Sequence, residues 1–243
     1  MTAAAEHAPS SVAPAATVGT RLVLFPGLGA DGRLFEPQRR GLPRVRVEVP
    51  PWIKADSIDE TVESYSRRMA ALVPPARPGE RLFLGGVSFG AIVALEAARH
   101  LHGTRAVFMM GGCRDTRAVA PFFRFACGLT RWVPSPVLKL ILYGSPAALA
   151  LFESLSWEHM RLYERMINEG SASQIRWAAG AMPAYRSRSD PPGVRVVLIH
   201  GQRDLIIPPK NVRPDYLIPR AKHLVGLTRP GAVNRILLKE MGS

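Results

Sequence analysis

Residues 81–101 read RLFLGGVSFGAIVALEAARHL. The first seven are an apolar run ending in glycines, the length of a buried strand. From Ala91 onward the run is apolar and Ala-rich, with Ile92, Val93 and Leu95 on helical spacing. Between the two lies Gly86-Val87-Ser88-Phe89-Gly90, a G-x-S-x-G. Gly and Ser are common, so the pattern alone is weak evidence. Its position at the end of a strand and the start of a helix is what gives it meaning. A turn that sharp holds the central residue in a strained backbone conformation, and the residues two away on either side must lack side chains. The spacing therefore predicts a strand, a tight turn and a helix, with the Ser88 hydroxyl lifted above the strand end. The helix N-terminus beneath it favours developing negative charge.

Outward from this stretch, further strands are expected at 21–25 (RLVLF), 45–49 (VRVEV), 105–111 (RAVFMMG), 194–200 (VRVVLIH) and 215–219 (DYLIP). Helical patterns alternate with them, the mark of a mainly parallel sheet of about six strands wrapped by helices on both faces, an α/β fold. One helix is expected behind a capping box at Ser57 and Glu60, burying Ile58, Val62, Tyr65, Met69 and Leu72. Another follows Pro230, with Val233, Ile236 and Leu237 inward. The interval 113–193 breaks the alternation and reads as helices. Ser135-Pro136 and Ser145-Pro146 offer helix starts, and Ser156 and Gly170 bracket a further helix. Trp132, Trp157, Trp177, Phe122, Phe123, Phe125 and Phe152 fall here, most of them expected to pack onto the sheet. The expected organisation is a disordered tail over 1–18, a core of 19–112 and 194–243, and a helical lid of 113–193 inserted in that core.

Composition limits the function classes. At 243 residues with 47% hydrophobic and 21% charged residues, the chain can form one sizeable α/β domain. No apolar run approaches the roughly 18 residues of a membrane span. The first residues, MTAAAEHAPSSVAPAATV, lack the basic start and apolar stretch of a secretory signal, so a cytoplasmic protein is expected. Cys113 and Cys127 are then expected as reduced thiols; neither sits in a metal-ligand spacing, and no metal or other cofactor is expected. The formal charge of +13 comes mostly from scattered arginines. Even the densest stretch, Arg186 to Arg188, is no basic block, and no nucleic-acid motif accompanies it. Compositional preference explains the charge, and a surface drawing in an anionic substrate or an acidic acyl carrier is the second reading.

A serine hydroxyl becomes a nucleophile when a base takes its proton, and the base needs an orienting acid. Of six histidines, His7 is in the tail, and His100 and His102 stand at the far end of the helix after Ser88. His159 is in the lid and His200 inside a strand. His223 alone lies in a loop directly after a late strand, where it can reach over the sheet's carboxyl edge. The same test favours Asp204, in the loop after the strand ending at His200. Asp115 is its rival, since it too follows a strand, but it opens the lid beside Arg114 and Arg117 and reads as a hinge ion pair. The resulting order Ser88, Asp204, His223 is one expected for such a triad. An oxyanion hole would use the backbone N–H of Phe89 and, from the glycine-rich loop 25–29, that of Leu28.

The pieces LVLFPGLG (22–29), GGVSFGAIVALEAARHL (85–101), VVLIHGQRDLIIP (196–208) and AKHLVGLTRPGAVN (221–234) resemble the α/β-hydrolase superfamily, in the order and spacing of its small capped members. The resemblance spans 21–240 and is weakest across the lid. It implies a cofactor-free serine hydrolase acting on an ester, a thioester or a related small acyl compound. Two departures stand out. Pro26-Gly27 replaces the His-Gly that usually precedes the oxyanion residue, and the tail cannot supply the usual opening antiparallel strand pair, which implies a reduced six-stranded sheet. Lyases and perhydrolases share the same triad, and some members of the fold are ligand receptors.

Overall fold

A computed structural model describes residues 19–134, 136–138, 140–141, 153, 155–187 and 189–242. Six strands form one sheet: β1 (Thr20–Phe25), β2 (Val45–Glu48), β3 (Arg81–Val87), β4 (Thr104–Met110), β5 (Arg195–Gly201) and β6 (Tyr216–Ile218). Their order is β2-β1-β3-β4-β5-β6 and every pairing is parallel. The chain leaves β1 for one side and returns on the other as β3. Loops at the carboxyl ends of these two strands diverge, the crevice where open α/β sheets hold ligands.

The central strands are covered on both faces, which explains their continuous apolar runs. One face packs Val23, Leu84, Val107 and Leu198 against α2 (Val62–Ala71) and α3 (Phe89–Ala97). The other packs Leu24, Phe108 and Ile199 with residues of α7 (Val225–Thr228) and α8 (Pro230–Met241), beside α1 (Glu36–Gly41). Two helices are expected to bury one stripe each, and α8 does so with Val233 and Leu237, Ile236 being half-buried.

The helix expected behind Ser57 and Glu60 starts later. Thr61 is the N-cap of α2, its hydroxyl accepting the Ser64 N–H at 3.2 Å. Glu60 is drawn aside by Arg68 and by the Asp56 N–H, so it does not close a capping box with Ser57. Val62, Tyr65 and Met69 are buried as expected, whereas Ile58 is half-buried and Leu72 is exposed past the helix end.

Between β4 and β5 the described residues form helices: α4 (Pro121–Leu129), α5 (Trp157–Glu169) and α6 (Ala172–Ala181). Ser156 caps α5 by accepting the His159 N–H, and Gly170 ends it, both as the sequence suggests. The interval enters and leaves through a narrow neck, where Ser187 N–H donates to Arg114 O and Arg114 pairs with Asp190. The aromatics depart from expectation. Trp177 is buried and Phe123 joins a small cluster with Cys113, Val119 and Ile207. Phe122, Phe125, Trp132 and Trp157 are exposed. Phe122 and Phe125, three residues apart, point along one face of a helix that buries none of its residues. Arg131 and Arg161 lie over the rings of Trp132 and Trp157, the cation–π contact of a solvent-facing aromatic. Ser135, Ser145-Pro146, Phe152 and the tail over 1–18 lie outside the described residues. Among the described residues no helix is long and apolar enough to cross a membrane.

Candidate active site

The turn after β3 places Ser88 at φ 55°, ψ −118°, in the positive-φ region that a residue with a side chain avoids. Its neighbours explain the glycines. A methyl group on Gly86 would fall 2.3 Å from the Gly90 carbonyl, and one on Gly90 would fall 2.1 Å from the carbonyl oxygens of Phe25 and Pro26. The elbow is closed by backbone packed against backbone. The Ser88 N–H donates to Met110 O at 3.0 Å, locking the turn to the end of β4. The next residue, Gly111, lies against His223: a methyl there would fall 2.7 Å from His223 O and 3.4 Å from its Nδ1. Ser88 and His223 thus stand at the same edge of the sheet. Ser88 does not use its hydroxyl to cap α3, and among the described residues that hydroxyl forms no hydrogen bond to His223.

His223 and Asp204 form a buried pair, with Nδ1 and Oδ2 2.8 Å apart and the two residues 3% and 2% exposed. Donation from Nδ1–H to the carboxylate leaves Nε2 as the ring's acceptor. Asp204 is itself held at four points. Its Oδ1 accepts the Ile206 and Ile207 N–H groups at 2.9 Å each, and His200 Nε2 lies 3.3 Å from its Oδ2. Burial opposes the Asp204 charge, but His223, then His200, then the Ile207 amide hold its carboxyl well below the ordinary value. For His223, burial disfavours the imidazolium, and the Asp204 charge and hydrogen bond overcome this, leaving its pKa raised. Asp115 is elsewhere, paired with Arg117 and Arg186 at the neck of the helical interval.

The loop after β1 passes beside the elbow, where a methyl on Gly27 would lie 3.7 Å from Ser88 Cβ. The backbone N–H groups of Leu28 and Phe89 have no acceptor among the described residues. Both residues line a cavity of about 570 Å³, within the size range of small-molecule sites. Trp52 and Ile53 form one wall and Met166, Ile175 and Ala178, from α5 and α6, form another. Asp31, Lys54 and Glu169 supply charge at this cavity.

Two contributors escape a reading of the sequence. His200 reads as a strand residue, yet its Nε2 lies 3.3 Å from Asp204 Oδ2 and 3.2 Å from the Ile207 carbonyl, while its buried Nδ1 has no partner among the described residues. Glu153 lies 3% exposed with its carboxylate on the His223 loop. No local pattern announces either, since both act through contacts made after folding. The cysteines are unsuited to nucleophilic work, as burial pushes the Cys113 thiol up to about 12 and that of Cys127 up to about 11. Among the described residues no three His, Cys, Asp or Glu side chains are grouped to hold a metal ion.

No family model and no curated protein matches the sequence. Solved structures do resemble the fold. The enol-lactonase from Burkholderia xenovorans LB400 is similar at a TM-score of 0.71 and 16% identity, over 93% of this chain and 92% of that one. MenH from S. aureus is similar at 0.70 and 15%, over 95% and 97%. The esterase from Exiguobacterium antarcticum is similar at 0.68 and 15%, over 93% of each chain. At this identity the likeness establishes the architecture, the α/β-hydrolase fold with a six-stranded parallel sheet.

Proposed function

We propose that this chain, whose fold is that of the α/β-hydrolases, is a serine hydrolase that cleaves a carboxylic ester or thioester through an acyl-enzyme. The observation that carries the reading is the buried His223–Asp204 pair at 2.8 Å, set at the sheet edge that also bears the Ser88 elbow. Asp204 holds the imidazole with Nε2 toward the nucleophile and stabilises the imidazolium that forms. Ser88 Oγ attacks the acyl carbon as its proton passes to His223. The oxygen that becomes negative is held by the N–H groups of Leu28 and Phe89, which have no acceptor among the described residues to give up. His223 then protonates the departing alcohol or thiol, leaving the acyl group on Ser88. Water repeats the sequence: its proton goes to His223, the acid is released, and the proton returns to Ser88. The lactonase and esterase named among the similar structures agree with acyl chemistry on this fold.

The helical interval 113–193 acts as a lid. Met166, Ile175 and Ala178 roof the cavity that opens at the oxyanion residues, and the mostly apolar walls suit a short or medium acyl chain. Lys54 gives that cavity one cation, beside the carboxylates of Asp31 and Glu169.

A fluorophosphonate probe and a panel of p-nitrophenyl esters from acetate to decanoate, run beside acyl-CoA thioesters, test the reading. The wild type is expected to label and turn over, and Ser88→Ala to lose both, with kcat down by about 10⁶ if the triad works as a unit. Full labelling of the Ser88→Ala protein would remove the nucleophile assignment. An unlabelled wild type that binds esters without turning them over would make this a binding protein on a hydrolase fold.

A further inference from the structure

Glu153 comes from the helical interval, yet its side chain ends on the loop after β6. Its Oε1 accepts the His223 N–H at 3.2 Å and its Oε2 accepts the Leu224 N–H at 2.8 Å. These contacts cross 70 and 71 residues of sequence. A carboxylate suits two inward-pointing donors because both of its oxygens accept; a glutamine would present one acceptor and set its own N–H₂ against an amide. A buried carboxylate is costly, and here desolvation pushes the Glu153 pKa up, with His223 and the two amides working the other way. The hydrogen bonds fix backbone at the residue whose imidazole must be aimed.

The surroundings are also charged. Asp204 faces His223 from the loop after β5, and the Tyr163 ring of α5 is buried close enough to feel the Glu153 charge. Glu153 also lines a cavity of about 400 Å³ with His159, Arg203, Arg220, Lys222 and Arg229. The residue that holds the imidazole loop is therefore also part of the lining of a basic cavity.

We infer that Glu153 is a positioning residue for His223: a lid-borne carboxylate that holds the base's backbone in place and sets a second negative charge next to it. The inference rests on the reading of His223 as the general base. Its consequence is that the lid is tied into the catalytic loop, so cap and base keep one register. A side chain that merely fastened the lid would not alter how His223 takes up a proton; one that sets a charge there must.

The test compares Glu153→Gln and Glu153→Asp with the wild type by two readouts: the pH profile of kcat/KM on p-nitrophenyl butyrate, and NMR titration of the His223 Cε1 proton. Glu153→Gln is expected to lower kcat about tenfold, as a small displacement of a base does, with KM little changed. Its acid limb and its His223 titration are expected to move together to lower pH. Glu153→Asp keeps the charge and shortens the reach, so the titration should stay near wild type while kcat still falls. A folded Glu153→Gln protein with a wild-type His223 titration overturns the inference. Should that variant fail to fold, Glu153→Asp decides, and unchanged kcat there overturns it. The NMR arm reads His223 whether or not esters are cleaved. An inactive, unlabelled wild type therefore marks failure of the hydrolase reading, and an active one whose titration ignores Glu153 marks failure of this inference.

Discussion

The carboxyl edge of the sheet and the described helices between β4 and β5 are built differently. Beneath that edge, Leu84, Phe108 and Ile199 have no exposed surface, and the loops above them are laced to one another. Gly111 N–H donates to Ile199 O at 2.9 Å, Gln202 N–H to Ile218 O at 3.0 Å and Arg203 N–H to Ala221 O at 2.8 Å. Among these helices, α4 has no fully buried residue, only half-buried ones such as Phe123 and Cys127, and Phe122 and Trp132 are 72% and 79% exposed. Ser88, Asp204 and His223 all stand on the first region, while Met166, Ile175 and Ala178 bring the cavity wall from the second. Precise chemistry needs groups held by a packed scaffold. The wall itself is packed, since Met166, Ile175 and Ala178 are buried, and the loosely covered part of the interval is α4 and the described residues that follow it. Rate is then expected to depend on the first region and selectivity on the wall brought by the second.

The largest difference is expected within the acid's role. Asp204→Asn should lower kcat by up to about 10⁴, because an amide lets the imidazole settle in the wrong tautomer. Asp115→Asn, at the neck among Arg117 and Arg186, should leave kcat within a few-fold. The pH profile gives a second measure. Protonated His223 cannot take the Ser88 proton, so kcat/KM falls as pH drops through the His223 pKa. That pKa is raised, which puts the acid limb above the ordinary histidine value of 6.5. Removing the Asp204 charge should carry the limb to lower pH. Near-wild-type rates for Asp204→Asn and collapse for Asp115→Asn would reassign the acid.

Stability should divide along the same line. Phe108→Ala, in the middle of β4 and stacked near Phe83, should cost about 3–5 kcal/mol in urea unfolding. A loss under about 1 kcal/mol would mean that the sheet core repacks freely, and the rigid-scaffold half of the comparison would go.

The sheet was legible because its central strands are covered on both faces, so burial and sequence agree residue by residue. The elbow was legible because its two glycines stand at fixed places about Ser88, although only Gly86 answers to a local contact, the Gly90 carbonyl; Gly90 answers to the Phe25 and Pro26 carbonyls after β1. The start of α2 was not, because Glu60 answers to Arg68 rather than to Ser57. His200 and Glu153 were not, since their partners lie across loops that exist only in the folded chain. Gly201 is intermediate. The glycine of the IHGQRD stretch is visible, but its reason is not: a methyl there would fall 2.1 Å from Lys222 O, where the His223 loop crosses. The exposed aromatics of α4 misled because composition reports apolar residues without reporting what covers them.

Selectivity should answer to the lid. Met166→Ala and Ile175→Val each enlarge the cavity that Leu28 and Phe89 also line. A methylene in an apolar pocket is worth roughly tenfold or more in discrimination. The ratio of kcat/KM for octanoate over acetate should therefore rise by about that factor, with acetate turnover nearly unchanged. Identical chain-length profiles across both variants would reduce the interval to packing and leave selectivity to Trp52 and Ile53 on the core side.

The smallest effect is expected at Phe125. Its ring is 67% exposed, and its helix has no buried residue to lose contact with. Phe125→Ser should then change unfolding free energy by no more than about 0.5 kcal/mol, the range of surface substitutions. The same change at Phe108 would leave an unpaired hydroxyl and a cavity between packed strands, and should prevent stable folding. The pair of measurements uses one substitution on two phenylalanines of equal apolarity, so any difference comes from what surrounds them. Urea midpoints at matched slopes would read it directly, since an equal slope means the same surface is exposed on unfolding. If Phe125→Ser cost about 2 kcal/mol, the outer face of α4 would be covered in the folded protein. The helical interval would then share the burial of the sheet, and the contrast drawn between the two regions would fail at its outer end.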